Sequence, residues 1–474
     1  MAPLDLSSRT AVMLPWLVAT AFFMQMLDST ILNTALPAIA QSLNEDPMQM
    51  QAVVVAYLLT VAVLIPASGW MAERFGTKRI FLVAIILFCT GSLLCALSDS
   101  LIMLVVSRVV QGAGGSLLVP VGRLVIILAF PRSRMIQLLS FVSIPGMLGP
   151  LMGPVLGGLL VEYLSWHWIF IINLPIGVLG IVATLHFMPD LKRDNMGQFD
   201  WPGFVVFGAA MILVSLAMDG LSDLHLSNGL VMVLATGGLA FFVCYWFYAM
   251  RKENPLFQPQ IFKTHSFAVG ICGNLFARLS IGALPFLNPL MLQLALGYSP
   301  FNAGLMLAPP ALASLLARPF SKKLIDLFGY RKLLVSSTVL SGLFMASLAF
   351  LGPGMPMGVL ILLLSAIGGI NAIQFIAMNT LTLIELPDAQ SAQGNSLLSV
   401  VMQLAASLAV GTAAVLLGSF SEGSKAPEQV LFAFRATYIC IGIISVLAAA
   451  IFLQLKTGEG SLQTSDHGVQ HGAH

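Results

Sequence analysis

The chain has 474 residues, of which 58% are hydrophobic and only 9% charged, with a formal net charge of +2. Soluble domains carry about a quarter charged residues, so water is not the main solvent of this fold and the chain is read as all-α and polytopic in a membrane. The net charge says little in such a chain; the placement of Lys and Arg along it carries the topology. The first apolar run, Met13 to Leu36, is long enough to span and has no small-residue cleavage site after it, so it reads as a retained span rather than a removable signal peptide. Within it lies the one acid deep in a span, Asp28, in the stretch LDSTILNTALP. An isolated carboxylate at mid-membrane costs about 2.5–3.5 kcal/mol on insertion scales, so it requires a partner. Asp28 falls about 12 Å short of Leu36 at the helical rise, in the outer half of the bilayer if the N-terminus is cytoplasmic.

Thirteen further spans follow: Gln51 to Met71, Ile80 to Leu97, Leu101 to Ala129, Met135 to Val161, Trp168 to Phe187, Trp201 to Met218, Gly229 to Met250, Phe267 to Leu296, Phe301 to Phe320, Leu333 to Leu351, Met357 to Ile384, Ser391 to Phe420 and Val430 to Leu455. Alternating the connections gathers Arg9, Arg74, Lys78, Arg79, Arg132, Arg134, Lys192, Arg193, Arg251, Lys252, Lys263, Lys322, Lys323, Arg331, Lys332 and Lys456 on one side and leaves Lys425 alone on the other. An error of one in the span count would scramble that asymmetry. The positive-inside rule then puts both termini in the cytoplasm.

Between the second and third spans, GWMAERFGTKR carries Gly69, Glu73, Arg74, Gly76, Lys78 and Arg79, and its core recurs as DLFGYRK with Asp326 and Arg331. Such an echo points to two related halves. If the ninth span answers the first, the chain divides into a six-span bundle over residues 1–190, an inserted pair over 191–250, a linker over 251–265, a second six-span bundle over 266–456 and a disordered tail over 457–474. The linker mixes basic ends with Pro255, Leu256, Phe257, Pro259, Ile261 and Phe262, which suits the cytoplasmic interface. The tail holds His467, His471 and His474, with metal binding as a second reading. The repeated loop either latches one conformation through charge pairs to neighbouring helix ends or serves only as a topological signal.

In the fourth span, SRVVQGAGGS contains Arg108 and Gln111; Arg108 lies about 10 Å in from Leu101, close to the depth of Asp28. The two are read as a pair, either a static ion pair or a proton switch: burial opposes the carboxylate's charge and a nearby arginine favours it, so their separation governs proton binding. In the fifth span, GPLMGPVLGG brings Gly149, Gly153, Pro154, Gly157 and Gly158 together, small residues for close helix approach beside a missing backbone donor. Gly153 and Pro154 are expected at a contact that moves during the working cycle, with plain tight packing as the other reading. Arg123 and Arg278 cannot hide in lipid and belong on inner faces, whereas Arg318 and Arg435 lie close enough to span ends to snorkel. Gln25, Asn33, Gln111, Asn274, Asn288, Asn371 and Gln374, with Arg123 and Arg278, are candidates for lining a central cavity, the uncharged ones equally open to a role as helix-to-helix glue. The five cysteines sit in apolar runs without metal-ligand spacing, so no metal site is expected.

Together GWMAERFGTKR, SRVVQGAGGS and GPLMGPVLGG resemble, in order, the loop, fourth-span and antiporter signatures of the major facilitator superfamily. LDSTILNTALP and SWHWIFIINLPIG resemble marks of its fourteen-span drug and proton antiporter branch, the EmrB/QacA type. Glu73 stands where that pattern usually has Asp. The second half is matched by span count, DLFGYRK and NPLFQPQIF. The resemblance implies two six-helix bundles with an inserted pair, in the bacterial inner membrane, exporting a small amphipathic or drug-like cargo against protons by alternating access. No cofactor is expected, the proton gradient being the energy source; the partners are cargo, protons and the lipid bilayer, with no nucleic acid and a monomeric state. Neither a nucleotide-binding GxxxxGK[ST] nor an HExxH motif occurs, which argues against ATP-driven transport and intramembrane hydrolysis. Three deep arginines against one deep acid keep a second cargo class in view, organic anions or metal chelates. A passive channel is a further alternative.

Overall fold

In the computed structural model, residues 8–192, 197–222, 228–352, 354–421, 426–456 and 459 are described. Arg193, Lys425 and the histidines of the tail, with the tail's expected disorder, therefore lie outside the described residues. Fourteen helices among those described are long and apolar enough to cross a membrane. They form a first bundle of six, an inserted pair and a second bundle of six. In the first bundle the first span (Ser8–Leu43) packs on the fifth (Arg132–Tyr163), and the fourth (Leu101–Ala129) on the second (Gln51–Phe75) and third (Thr77–Ala96). In the second bundle the eleventh span (Phe320–Ser347) packs on the fourteenth (Pro427–Leu453), and the ninth, which begins as His265–Ile281, on the twelfth (Met357–Ile384), the thirteenth (Asp388–Ser421) and the fourteenth.

The repeated loop has the same backbone device in both halves. Gly76 adopts φ 100° and ψ 134°, and Gly329 φ 71° and ψ 163°, a region open essentially to glycine alone. A helix therefore ends at Phe75 and the next begins at Thr77, a turn of one residue. In the second half Gly329 breaks the helix Phe320–Ser347 from within, so Ser321, Lys322 and Lys323, which look like a loop in sequence, are helical and the eleventh span begins well before the expected Leu333, while the tenth ends at Ala317, close to the expected Phe320. The tenth span itself is broken into Pro300–Met306 and Ala308–Ala317, beside Pro309 and Pro310, which lack backbone donors.

Burial separates the two ends of the molecule. One apolar core joins both bundles at the end away from the termini, uniting Ile31 to Ala40, Met50 to Val55 and Ile169 with Leu284 to Met291, Ala303 and Met306. Toward the basic end the core splits: one part, around Leu14, Met24, Phe81 and Val125, belongs to the first bundle alone, and another, around Ala277, Leu334, Met378 and Phe452, to the second alone. The bundles are thus sealed together at the far end; toward the basic end each has a core of its own, and a further core joins Ala62 of the second span to Leu397, Val401 and Leu404 of the thirteenth.

The inserted pair (Trp201–Ser222 and Asn228–Arg251) leans on the thirteenth and second spans and is fastened to the linker. Asp200 caps the pair's first helix at the Gly203 N–H and also accepts from Tyr248 Oη at 2.6 Å, Lys252 Nζ at 2.8 Å and the Leu256 N–H at 2.9 Å. Burial works to raise the Asp200 pKa, but those donors outweigh it and hold the carboxyl below its usual range, so the cluster is intact at neutral pH and weakens only as pH falls below the ordinary aspartate range. The linker buries Phe257 and Ile261 in that further core, shared with the insert and the second, ninth and thirteenth spans. Gln393 holds it there by donating to the carbonyls of Pro255 and Leu256 at 3.3 and 3.1 Å.

The two glycine turns make a graded prediction. A Cβ on Gly329 would meet nothing within 4 Å, so Gly329→Ala pays only backbone strain, of the order of 1–3 kcal/mol, whereas a Cβ on Gly76 would also collide with the Asp190 carboxylate. In thermal unfolding of the detergent-solubilised protein, both variants lower the melting temperature and Gly76→Ala lowers it more; the reverse order would contradict this account.

Candidate functional site

Asp28 lies on the first span between Met24, which belongs to the first bundle's own core, and Ile31, which belongs to the shared core. Two sets of glycines fix its helix and the fourth span. Gly149, Gly153 and Gly157 recur every four residues on one face of the fifth span; Cβ atoms there would strike the backbone at Met26 and Leu27, the Thr30 hydroxyl and the Ile31 carbonyl. Thr30 Oγ1 also donates to the Gly149 carbonyl at 3.2 Å. On the fourth span, Gly112 and Gly115 lie against Tyr57 and Thr60 of the second, while Gly114 lies against the Phe88 backbone of the third. Close approach on both sides brings Asp28 and the fourth span together.

Arg108 Nη1 donates to Asp28 Oδ2 at 2.7 Å, and each side chain is 1% exposed. Asp28 Oδ1 accepts from Gln111 Nε2 at 2.7 Å and from Asn173 Nδ2 at 2.9 Å. Gln111 Oε1 accepts in turn from Arg108 Nη1 at 2.5 Å, and Ser92 Oγ accepts from Gln111 and Asn173 at 2.8 and 3.3 Å. Arg108 Nε reaches the Val53 carbonyl at 3.4 Å, and its guanidinium lies 4.3 Å from the centre of the Tyr57 ring. Spans one, two, three, four and six thus converge on one buried carboxylate. Such a pair contributes little net stability while intact, but removing one partner strands a buried charge at a cost of about 3–5 kcal/mol. The arrangement places a carboxylate inside an apolar bundle with an arginine as its counter-charge and two amides as further donors.

Gln111, expected to line a cavity, is a member of this network. Asn173 and Ser92 were not among the expected site residues. The signal for Asn173 was available, a lone amide in the apolar run of SWHWIFIINLPIG; Ser92 had none, since serines are ordinary in spans.

The fifth-span motif is split by helical periodicity. Gly153 packs within its own bundle, whereas Pro154 and Gly158, turned about 100° per residue away from that face, meet the tenth span. A Cβ on Gly158 would strike the Pro300 carbonyl and lie 2.8 Å from Phe301 Cα, and one on Gly304 would strike the Pro154 carbonyl. Two polar contacts join the bundles at the same end, Gln293 Nε2 to the Thr34 carbonyl and the Phe301 N–H to Glu162, both at 2.9 Å. The expectation that Gly153 and Pro154 share one contact between moving parts is corrected accordingly: the contact between bundles belongs to Pro154 and Gly158.

The remaining expected residues scatter. Gln25 is buried, with Oε1 unbonded, and Asn33 donates to Ser29 on its own helix at 3.4 Å. Arg123 is exposed and 5.4 Å from the Phe22 ring centre. Arg278 donates from Nε to Asn274 Oδ1 at 3.0 Å, lies 4.6 Å from the Phe375 ring centre and leaves Nη2 unbonded. Among the described residues no carboxylate pairs with Arg123 or Arg278. Asn288 accepts from Tyr438 Oη, and Gln374 donates to Thr338 Oγ1, each at 2.8 Å, so both join helices. Asn371 is half-buried. Arg435, read as snorkelling, instead donates to the Leu351 carbonyl from Nε and Nη2 at 3.1 and 2.9 Å. In the loop, Lys78 Nζ donates to the Leu185 carbonyl at 2.7 Å and Thr77 joins Pro189 and Leu191, while Arg74 and Arg79 are exposed, Glu73 is half-buried and Gly69 has open space around it. The loop is therefore docked on the end of the sixth span of its own bundle. Asp326 and Arg331 line a cavity of about 1120 Å³ at the basic end of the second bundle, together with Lys456 and Glu459.

The family profile of the Major Facilitator Superfamily matches residues 18–251 and 270–469. A protein of Pectobacterium atrosepticum named "Putative multidrug resistance protein MdtD" is 47% identical over 439 residues, covering 92% of this chain and 94% of that one. One of the same name from Salmonella newport is 45% identical over 448 residues, covering 93% and 94%. Among solved structures, a POT family transporter in complex with 5-aminolevulinic acid superposes with a TM-score of 0.69 at 18% identity, over 94% of this chain and 96% of that one. A D-xylose-proton symporter superposes with a TM-score of 0.67 at 15% identity, over 95% and 99%. These structures establish the shared fold.

The split motif predicts two different failures. Overpacking a tight contact costs about 1–3 kcal/mol, so Gly153→Leu pushes the first span away, disturbs the Asp28 network and lowers the melting temperature. Gly158→Leu wedges the two bundles apart and abolishes transport with the melting temperature nearly unchanged. Full transport by Gly158→Leu would remove that contact from the working cycle.

Proposed function

The chain belongs to the major facilitator superfamily, and on that premise we propose that it is a proton-coupled antiporter of the bacterial inner membrane, exporting small amphipathic or drug-like molecules by alternating access. The observation that carries the reading is the Asp28 carboxylate, buried in a five-span network at the seam between the shared core and the first bundle's own core. A group there senses whether the far end is sealed. With Arg108 in contact the carboxylate keeps its charge; when rearrangement draws the arginine away, an isolated charge in an apolar bundle is costly and the site takes up a proton. Each tenfold change in proton affinity corresponds to about 1.4 kcal/mol, so two or three such steps match the energies needed to bias a two-state carrier. The glycine turns and the Pro154 and Gly158 contact with the tenth span act as the hinge and seal. The multidrug names of the relatives favour a drug-like cargo.

A second cargo class rests on its own observation. Arg123 and Arg278 come from different bundles, each stacks on a phenylalanine and neither meets a carboxylate among the described residues. Such cations favour an organic anion or a metal chelate over a cationic drug. Inverted vesicles carrying an imposed proton gradient separate the classes, with ethidium as the cationic probe and carboxyfluorescein as the anionic one. The probe that dissipates the gradient identifies the class, and flux that never runs uphill with protons indicates a passive channel.

Orientation follows from the basic end being cytoplasmic. In a cysteine-free background, Lys192→Cys is labelled by an impermeant maleimide only from the cytoplasmic side and Glu45→Cys only from the periplasmic side; the opposite pattern would invert the topology.

The coupling reading predicts that Asp28→Asn still binds a cargo that is not cationic yet loses proton-driven export. Arg108→Ala moves the pH profile of export upward, because the carboxylate loses its counter-charge. Uphill export by Asp28→Asn with an unchanged pH profile would eliminate Asp28 as the coupling site.

A further inference from the structure

Asn173 is buried at the junction of the two helical pieces of the sixth span, Trp168–Ile171 and Asn173–Phe187, and reaches the Asp28 oxygen that Arg108 does not hold. Its Nδ2 donates to Asp28 Oδ1 at 2.9 Å and to Ser92 Oγ at 3.3 Å, whereas its Oδ1 is buried without a hydrogen-bond partner. A buried carbonyl oxygen left unbonded costs free energy, yet here it sits on the same amide that grips the carboxylate. The alternatives around Asp28 are committed. Gln111 Oε1 accepts from Arg108, Gln111 Nε2 is shared between Asp28 and Ser92, and Ser92 Oγ already accepts from both amides.

We propose that Asn173 is a positioning residue that serves both protonation states of Asp28, its Nδ2 donating to the carboxylate and its free Oδ1 accepting the acid's O–H after the amide turns about its Cβ–Cγ bond. In the ionised state the amide is one of three donors on Asp28. When Arg108 withdraws and Asp28 gains a proton, the new O–H needs an acceptor inside the bundle, and Asn173 Oδ1 is the amide oxygen of the network with no donor on it. No atom is exchanged with the amide; a single torsion converts donor to acceptor. The sixth span is thereby tied to the proton site in both states, and because the repeated loop docks on Leu185 and Pro189 at the end of that same span, the tie runs from Asp28 toward the Gly76 turn.

The groups that face Asp28 from its neighbours are few. The fourth span supplies Arg108, the second the Tyr57 ring beneath the guanidinium, and the third Cys95, whose sulfur lies 3.8 Å from Gln111 Oε1. The fifth span meets this part of the first with Gly149, Gly153 and Gly157, and the sixth brings Asn173 and Phe170. Arg108 is the cation of that set, so a change in the titration of Asp28 on altering Asn173 reports hydrogen bonding rather than a new charge.

The proposal rests on Asp28 being the proton site, and the test separates the two. Purified full-length protein in liposomes is titrated by infrared spectroscopy from pH 5 to 9, the protonated Asp28 band being identified by its loss in Asp28→Asn. In Asn173→Leu, close in size and without hydrogen-bonding atoms, the acid loses its acceptor and its band moves to higher frequency. The midpoint also rises, by about one pH unit, because a bond to the charged form outweighs one to the neutral form. Asn173→Ser, which keeps a donor and an acceptor, restores the band toward its original frequency. An Asp28 band with unchanged frequency and midpoint in Asn173→Leu overturns the role of Asn173 while leaving Asp28 as the proton site. The absence of any Asp28-dependent band overturns the reading beneath it. Should Asn173→Leu fail to accumulate, Asn173→Ala, which likewise removes both hydrogen-bonding atoms, takes its place: a frequency and midpoint identical to those of the unaltered protein overturn the proposal.

Discussion

A single carboxylate held inside an apolar bundle sets the terms for the rest of this molecule. Three donors point at Asp28, from Arg108, Gln111 and Asn173, and they reach it where the fourth and fifth spans present glycine to their neighbours. The glycines lower the stability that large side chains would have contributed through packing, and the gain is proximity: four backbones close enough for short side chains to meet at mid-bundle. A buried pair of this kind is poor as a source of stability and effective as a two-state element, because its partial loss is expensive and its orderly exchange for a proton is not.

The packing places that element where it couples to motion. The apolar core is continuous across both bundles at the far end, while toward the basic end each bundle has a core of its own and the second and thirteenth spans share another; the first span is gripped by the shared far-end core beyond Ile31 and by its own bundle before Met24. Asp28 sits between the two grips. The inserted pair has a different role. Asp200 fastens it to the linker and Gln393 fastens the linker to the thirteenth span, so the insert is tied to the long connection between the halves.

Much of this could be read from the chain because membrane spans obey strong constraints. The fourteen spans, the inserted pair and the equal depth of Asp28 and Arg108 all follow from apolar run lengths, loop charges and the helical rise. The repeated FG pair predicted related halves, and the matching positive φ at Gly76 and Gly329 gives the repeat its physical content. What escaped were facts of rotation and neighbourhood. Which face of the fifth span meets the tenth depends on helix orientation, so Gly153 and Gly158 could not be told apart by spacing. Asn288 and Gln374 looked like cavity residues because a polar side chain in a span advertises only that it needs a partner, and theirs proved to be Tyr438 and Thr338 on neighbouring helices. The eleventh span begins earlier than expected because charges at Lys322 and Lys323 mark the edge of the membrane rather than the absence of a helix.

The central claim is that protonation of Asp28 and the opening of the far end are one event. Spin labels at Glu45 in the first bundle and Tyr298 in the second, both in far-end connections, report that opening as a distance distribution measured against pH by pulsed electron resonance. The account predicts a distribution that shifts from short to long as pH falls in the otherwise unaltered protein, and that is insensitive to pH in Asp28→Asn. A shift of the same midpoint and size in both proteins would contradict it.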